Sequence, residues 1–119
     1  MIKKKIKALL PTLKEKKRYL AFEVISKQKV TDFKPVSDEI MSKMLGLVGN
    51  LGLAKAGIQI LKDKWNSRLQ RGLIRVNHKH ADELKAALTF IEKINDNEVI
   101  VRSVGVSGML NKAEERYLK

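Results

Sequence analysis

Two histidines, His78 and His80, stand one residue apart, with Asp82 and Glu83 close behind. Imidazoles and carboxylates at this spacing suggest zinc-ligand chemistry, but a zinc site needs at least three protein ligands converging on one point. The sequence identifies no third ligand, so the segment reads as turn, helix cap and basic surface. Ser107 lies in V-G-V-S-G, outside the G-x-S-x-G setting of a hydrolase nucleophile, and no adjacent base is identifiable. Cysteine is absent, which excludes thiolate nucleophiles, disulfides and thiolate metal sites. The expectation is a chain with no catalytic residue and no metal site.

A different chemistry is suggested by RGLIRVNH (71–78). The strand signature of RNA-recognition domains opens with a basic residue and a glycine, then sets aromatic rings on alternate positions to stack bases. Arg71, Gly72 and Val76 fit that pattern, whereas the ring positions hold Leu73, Arg75 and His78. Charge points to the same class of partner. There are 25 Lys and Arg against 13 Asp and Glu, a formal +12 over 119 residues. Such an excess favours polyanions, because each phosphate neutralised releases condensed counterions. Residues 1–18 hold eight of these cations against Glu15 alone. Pro11 follows Ile2, Ile6, Leu9 and Leu10 at once, which argues against a membrane-surface helix there. No apolar run approaches the ~20 residues that span a bilayer, and the stretch 1–18 has no continuous apolar segment long enough to read as a secretory signal. A cytoplasmic protein without membrane contact is expected.

These residues must be positioned by elements that the periodicity outlines. RYLAFEVIS (18–26) reads as a strand, and apolar residues at Val36, Ile40, Met44, Val48 and Leu51 form a helical stripe with Gly52 as its stop. GIQILKDKW (57–65) and RGLIRVN (71–77) read as a second and a third strand. HADELKAALTFIEKI (80–94) reads as a helix with Asp82 and Glu83 in its first turn, NDN (95–97) as a turn, and EVIVRSVGV (98–106) as a fourth strand. MLNKAEERYLK (109–119) closes the chain as a short helix. The order βαββαβ predicts an α+β, ferredoxin-like fold, with a four-stranded antiparallel sheet and two helices on one face. A basic N-terminal arm (1–17) precedes the domain (18–108), and the C-terminal helix (109–119) follows it. Strand one has Leu20, Phe22 and Val24 on one face but Tyr19, Ala21 and Ile25 on the other. Two helices cover only one face, so the second is expected to meet a protein partner. The glycines of GLVGNLG (46–52) admit two readings, a fraying helix end or a face that another backbone approaches. GVSG (105–108) offers backbone amides that could hold a phosphate.

Five blocks carry a family resemblance: PTLKEKKRYLAFEVIS (11–26), GNLGLAKA (49–56), RGLIRVN (71–77), AALTFI (86–91) and VRSVGVSG (101–108). Together they resemble the archaeal ribonuclease P protein component 2 family and span nearly the whole chain from Pro11. The resemblance implies a non-catalytic, RNA-binding subunit of the ribonucleoprotein that removes the 5′ leader of precursor tRNA. It implies that the RNA performs cleavage with magnesium and that this chain binds no cofactor. Implied partners are the ribonuclease P RNA, precursor tRNA as substrate of the complex, the barrel-type protein component 3 and other protein subunits. A two-plus-two assembly through self-association is also implied. Family tails after V-S-G are often strongly basic, but this one sets Lys112, Arg116 and Lys119 against Glu114 and Glu115, which shifts the expected phosphate contacts to the arm.

The expected RNA contacts are Lys14, Lys16, Lys17 and Arg18, then Lys55, Arg75, His78, Lys79 and Arg102. The expected protein interface is Tyr19, Ala21, Ile25, Gly49 and Gly52. A general RNA-binding or ribosome-associated protein shares the charge but requires no second apolar sheet face. A ligand-binding regulatory module of the same fold has no need of +12.

Overall fold

The computed structural model describes residues 16–119. Strand β1 (Lys17–Ser26) is central and pairs antiparallel with β3 (Arg71–Asn77) on one side and β5 (Asn97–Ser107) on the other. With β2 (Gln59–Ile60) and β4 (Lys93–Ile94) at the edges, the sheet order is β2-β3-β1-β5-β4. The α+β class is as expected, with five strands rather than four.

Alternation along the strands divides the apolar residues between two cores. Leu20, Phe22, Val24, Ile74, Val76, Val99 and Val101 face helices α1 (Phe33–Ala56) and α2 (Ala81–Thr89). Those helices contribute Val36, Ile40, Met44, Leu84, Ala87 and Leu88 to this main core. Gly72 is required by packing, since a Cβ there would lie 2.7 Å from the Phe22 ring and 3.2 Å from Trp65. Those two rings stack with centroids 6.0 Å apart, and the Trp65 indole N–H donates to the Thr31 carbonyl at 3.2 Å.

Several boundaries differ from expectation for physical reasons. The strand expected over 57–65 is confined to Gln59–Ile60, because Lys62–Lys64 turn as a 3₁₀ segment that aims Trp65 at Phe22. Helix α1 starts three residues early, with Pro35 in the first turn, where a missing N–H costs nothing. It bends at Gly49 (φ 72, ψ 179) and ends at Gly57 (φ 59, ψ 41), so Gly52 is not its stop. Helix α2 ends at Thr89, well before Ile94. Ile91 and Ile94 are still buried, Ile94 through a β4–β5 hairpin whose turn residues Asn95 and Asp96 both take positive φ.

Part of the second sheet face is covered by the chain itself. Helix α3 (Leu110–Tyr117) packs Ala113, Tyr117 and the following Leu118 onto Ala21, Leu73 and Val104, the last of these at a bulge in β5. Arg71 Nη1 donates to the Tyr117 carbonyl at 3.0 Å and Asn66 Nδ2 to the Leu118 carbonyl at 2.9 Å, which satisfies the end of α3. Lys64 pairs with Glu114, whose hydrogen bond raises the lysine's pKa. The expected partner contact is therefore corrected at Ala21 and Leu73, which α3 covers. Ala21 is fully buried and Tyr19 partly so, both in the α3 cluster, while Ile25 remains 44% exposed beside Ile100 at 63%.

Candidate nucleic-acid interface

The start of β1 and the ends of β3, β5 and α1 meet at one end of the sheet. Lys17 is in register with Asn77, and Tyr19 with Arg75 and Ser107. The side chain of Asn77 is fully buried and holds this junction together. Its Nδ2 donates to the Lys55 carbonyl at 2.6 Å, in the last turn of α1, and its Oδ1 accepts from the Lys17 ammonium. The Lys16 carbonyl accepts the His78 N–H at 2.9 Å, with His78 Nδ1 3.2 Å away. Arg18 Nη1 donates to the Lys17 carbonyl at 3.2 Å and lies beside Gly108, just before α3.

Strand register thus gathers Lys16, Lys17, Arg18, Lys55, His78 and Lys79, which are scattered over three stretches of sequence. Lys16, Lys55, His78 and Lys79 are exposed. Arg75 lies on β3 between Tyr19 and Gln59, next to this end. Lys14 lies outside the described residues. Arg102 is not brought to the cluster: it pairs with Glu23, six residues along β1 from Lys17, or about 20 Å at strand rise. Sequence reasoning also missed Asn77 as an organiser, although a polar residue closing an apolar strand signals a buried amide. Gly49 and Gly52 flank Leu51, which is 68% exposed, and Leu45 and Leu47 are exposed nearby.

The histidines have separate engagements. His78 is against Lys16, while His80 Nδ1 is 2.6 Å from Glu83 Oε1. Among the described residues no group of three His, Cys, Asp or Glu is placed to hold a metal ion.

Glu23 is an anionic counterpoint at mid-sheet. Its Oε2 accepts from Arg71 Nε at 3.0 Å, and its Oε1 from Arg102 Nε at 3.0 Å and Nη2 at 2.9 Å. Burial pushes its carboxyl up, but the hydrogen bonds and charges of Arg71 and Arg102 outweigh that and hold it below the ordinary value of 4.5. A depressed folded-state value stabilises above the unfolded value and loses that contribution as pH falls through the folded one. Glu23→Gln should therefore cost on the order of 1–2 kcal/mol at neutral pH and flatten the acid limb of a melting-temperature profile. An unchanged acid limb would dismiss this linkage.

A family model, Rpp14/Pop5, matches residues 18–118. The chain belongs to the Rpp14/Pop5 family. This is a family of protein subunits of ribonuclease P and MRP. Ribonuclease P protein component 2 of Thermococcus kodakarensis is 36% identical over 119 residues, covering 98% of this chain and 95% of that protein. The proteins of the same name from Pyrococcus furiosus (35%, covering 94% and 91%) and Methanosarcina acetivorans (33%, covering 96% and 83%) are similar. A chain of yeast ribonuclease MRP, solved by cryo-electron microscopy, superposes with TM-score 0.60 at 14% identity, covering 81% of this chain and 76% of that one. That likeness shows a shared fold. The general RNA-binding alternative is not favoured by this family match. Among the described residues no helix is long and apolar enough to cross a membrane.

Proposed function

We propose that this chain is the cytoplasmic component 2 subunit of ribonuclease P, supporting the catalytic domain of the RNA together with the barrel-type protein component 3. The RNA cleaves the leader of precursor tRNA with magnesium, and this chain supplies fixed cations rather than chemistry. One observation carries the reading: strand register and the Asn77 bond to the end of α1 bring residues 16–18, 55 and 78–79 to one sheet end. Fixed cations replace diffuse ones around folded RNA and so lower its magnesium demand. The exposed Ile25–Ile100 pair and the exposed leucines Leu45, Leu47 and Leu51 of α1 are where component 3, other protein subunits or a second copy would bind.

The test is precursor-tRNA cleavage by the cognate RNA across a magnesium series, with this protein, with its barrel partner, and with both. Rate enhancement at limiting magnesium only when both are present is expected. The same magnesium optimum in every combination, with all parts folded, would contradict the proposal.

A further inference from the structure

Helix α3 closes the second sheet face over Ala21 and Leu73 but leaves the next row of residues less covered. That row comprises Tyr19, Arg75, Gln59 and Ser107, joined by register across four strands: Tyr19 opposite both Arg75 and Ser107, and Gln59 opposite Arg75. Tyr19, Arg75 and Ser107 are each partly buried, and Gln59 is exposed. Arg75 occupies the central ring position of the strand signature in RGLIRVNH. In RNA-recognition sheets that position faces bases, and arginine guanidinium planes stack bases as aromatic rings do.

The Nε donor of Arg75 is unsatisfied. Arg75 Nε is shielded from solvent with no hydrogen-bond partner, and Arg75 makes no hydrogen bond or ion pair among the described residues. Arg71 and Arg102, on the same face, are both spent on Glu23. A shielded donor without an acceptor is costly to leave unmade, so the partly exposed side chain gains by shifting outward to a ligand acceptor. Opposite it in register is Tyr19, the one aromatic ring of this row, partly buried against the α3 cluster, whereas Leu73 is fully buried beneath α3.

We propose that Tyr19 and Arg75 form a platform for one unpaired nucleobase, whose flanking phosphates lie on the adjacent cations. The ligand class is thus single-stranded or bulged RNA rather than uninterrupted helix. This rests on the RNA-binding reading above and adds base stacking to its phosphate contacts. Stacking differs from phosphate contact in its salt response. It contributes affinity without counterion release, so its loss leaves the salt slope unchanged.

The experiment is a fluorescence titration of the full chain with short RNA duplexes, either fully paired or carrying one bulged 2-aminopurine, at several salt concentrations. The bulged RNA should bind more tightly by roughly 5- to 150-fold, with quenching of the probe. Tyr19→Leu keeps an apolar side chain against α3 and should abolish the preference with the salt slope intact, while Tyr19→Phe keeps the preference. Arg75→Lys keeps the charge and should weaken the preference. Equal affinity for both RNAs with an ordinary salt slope overturns the platform and leaves the cationic reading standing. Failure to bind either RNA overturns both.

Discussion

Charge reversal of Lys16, Lys17 and Arg18 together should weaken binding to structured RNA by about 500-fold at 0.1 M salt and reduce the log–log salt slope by ~2.7. Both figures come from three lost phosphate contacts at ~0.9 counterions each. Lys17 complicates the variant, because its ammonium also donates to the buried Asn77 that caps α1. The double reversal of Lys16 and Arg18 leaves that bond in place and should still lose ~60-fold and ~1.8 in slope. Filter binding over 0.05–0.5 M salt, a range of about one decade around the physiological value, measures both quantities. Arg102→Glu is the control on the same sheet. Its guanidinium is held by Glu23 about 20 Å away, so the slope should not move. If the triple variant kept the wild-type slope, the sheet end would not be the phosphate-binding site.

The parts of this site that were legible in the sequence are those in which neighbours in sequence stay neighbours in space. Lys16, Lys17 and Arg18 lead into a strand whose alternating Leu20, Phe22 and Val24 fix its face, and that alternation survives folding unchanged. The stripe at Val36, Ile40 and Met44 likewise fixes α1 before any contact is known. What could not be read is pairing over distance. That Lys17 lies opposite Asn77 depends on register, and with it the arrival of His78 beside Lys16. Arg102 looks like any other cation until Glu23, 79 residues away in sequence, is seen to hold it. The two-residue β4 is set by positive φ at Asn95 and Asp96, in a stretch whose apolar spacing also suits a helix.

The placement of α3 was the largest miss. An eight-residue helix with few apolar residues does not announce which surface receives it. The receiving surface is made by register: Ala21 opposite Gly105 and Leu73 opposite Ala21, small residues bordering a shallow seat. Once that seat is filled, the missing stacking rings of RGLIRVNH have an explanation. Leu73 is a packing residue beneath α3, so a base could not reach it. Within the same strand, the face is closed at Leu73 and partly open at Arg75, so the RNA contact proposed above has room only at the cationic end.

Gly105→Val should detach this helix. A Cβ at Gly105 would fall within the ring of Tyr117, whereas its backbone lacks the positive φ that would itself demand glycine. Valine suits a strand by propensity, so any loss must come from the clash. To admit valine the ring must swing away from β5, while Arg71 and Asn66 hold the carbonyls of Tyr117 and Leu118. Overpacking of this kind costs about 1–3 kcal/mol, and losing the burial of Ala113 and Leu118 would add to it. A fall in melting temperature on the order of 10 °C is expected for a domain of this size. Gly108→Val is the matched control in the same GVSG segment. Its Cβ would meet only Arg18 Nη1 at 3.6 Å, an ordinary contact at an exposed position, so stability should stay within about 0.5 kcal/mol of wild type. Tyr117→Ala removes the obstructing ring, and adding Gly105→Val to it should cost far less than in the wild-type background, a coupling that a double-mutant cycle isolates. Equal costs in the two backgrounds would mean that Gly105 serves something other than seating α3.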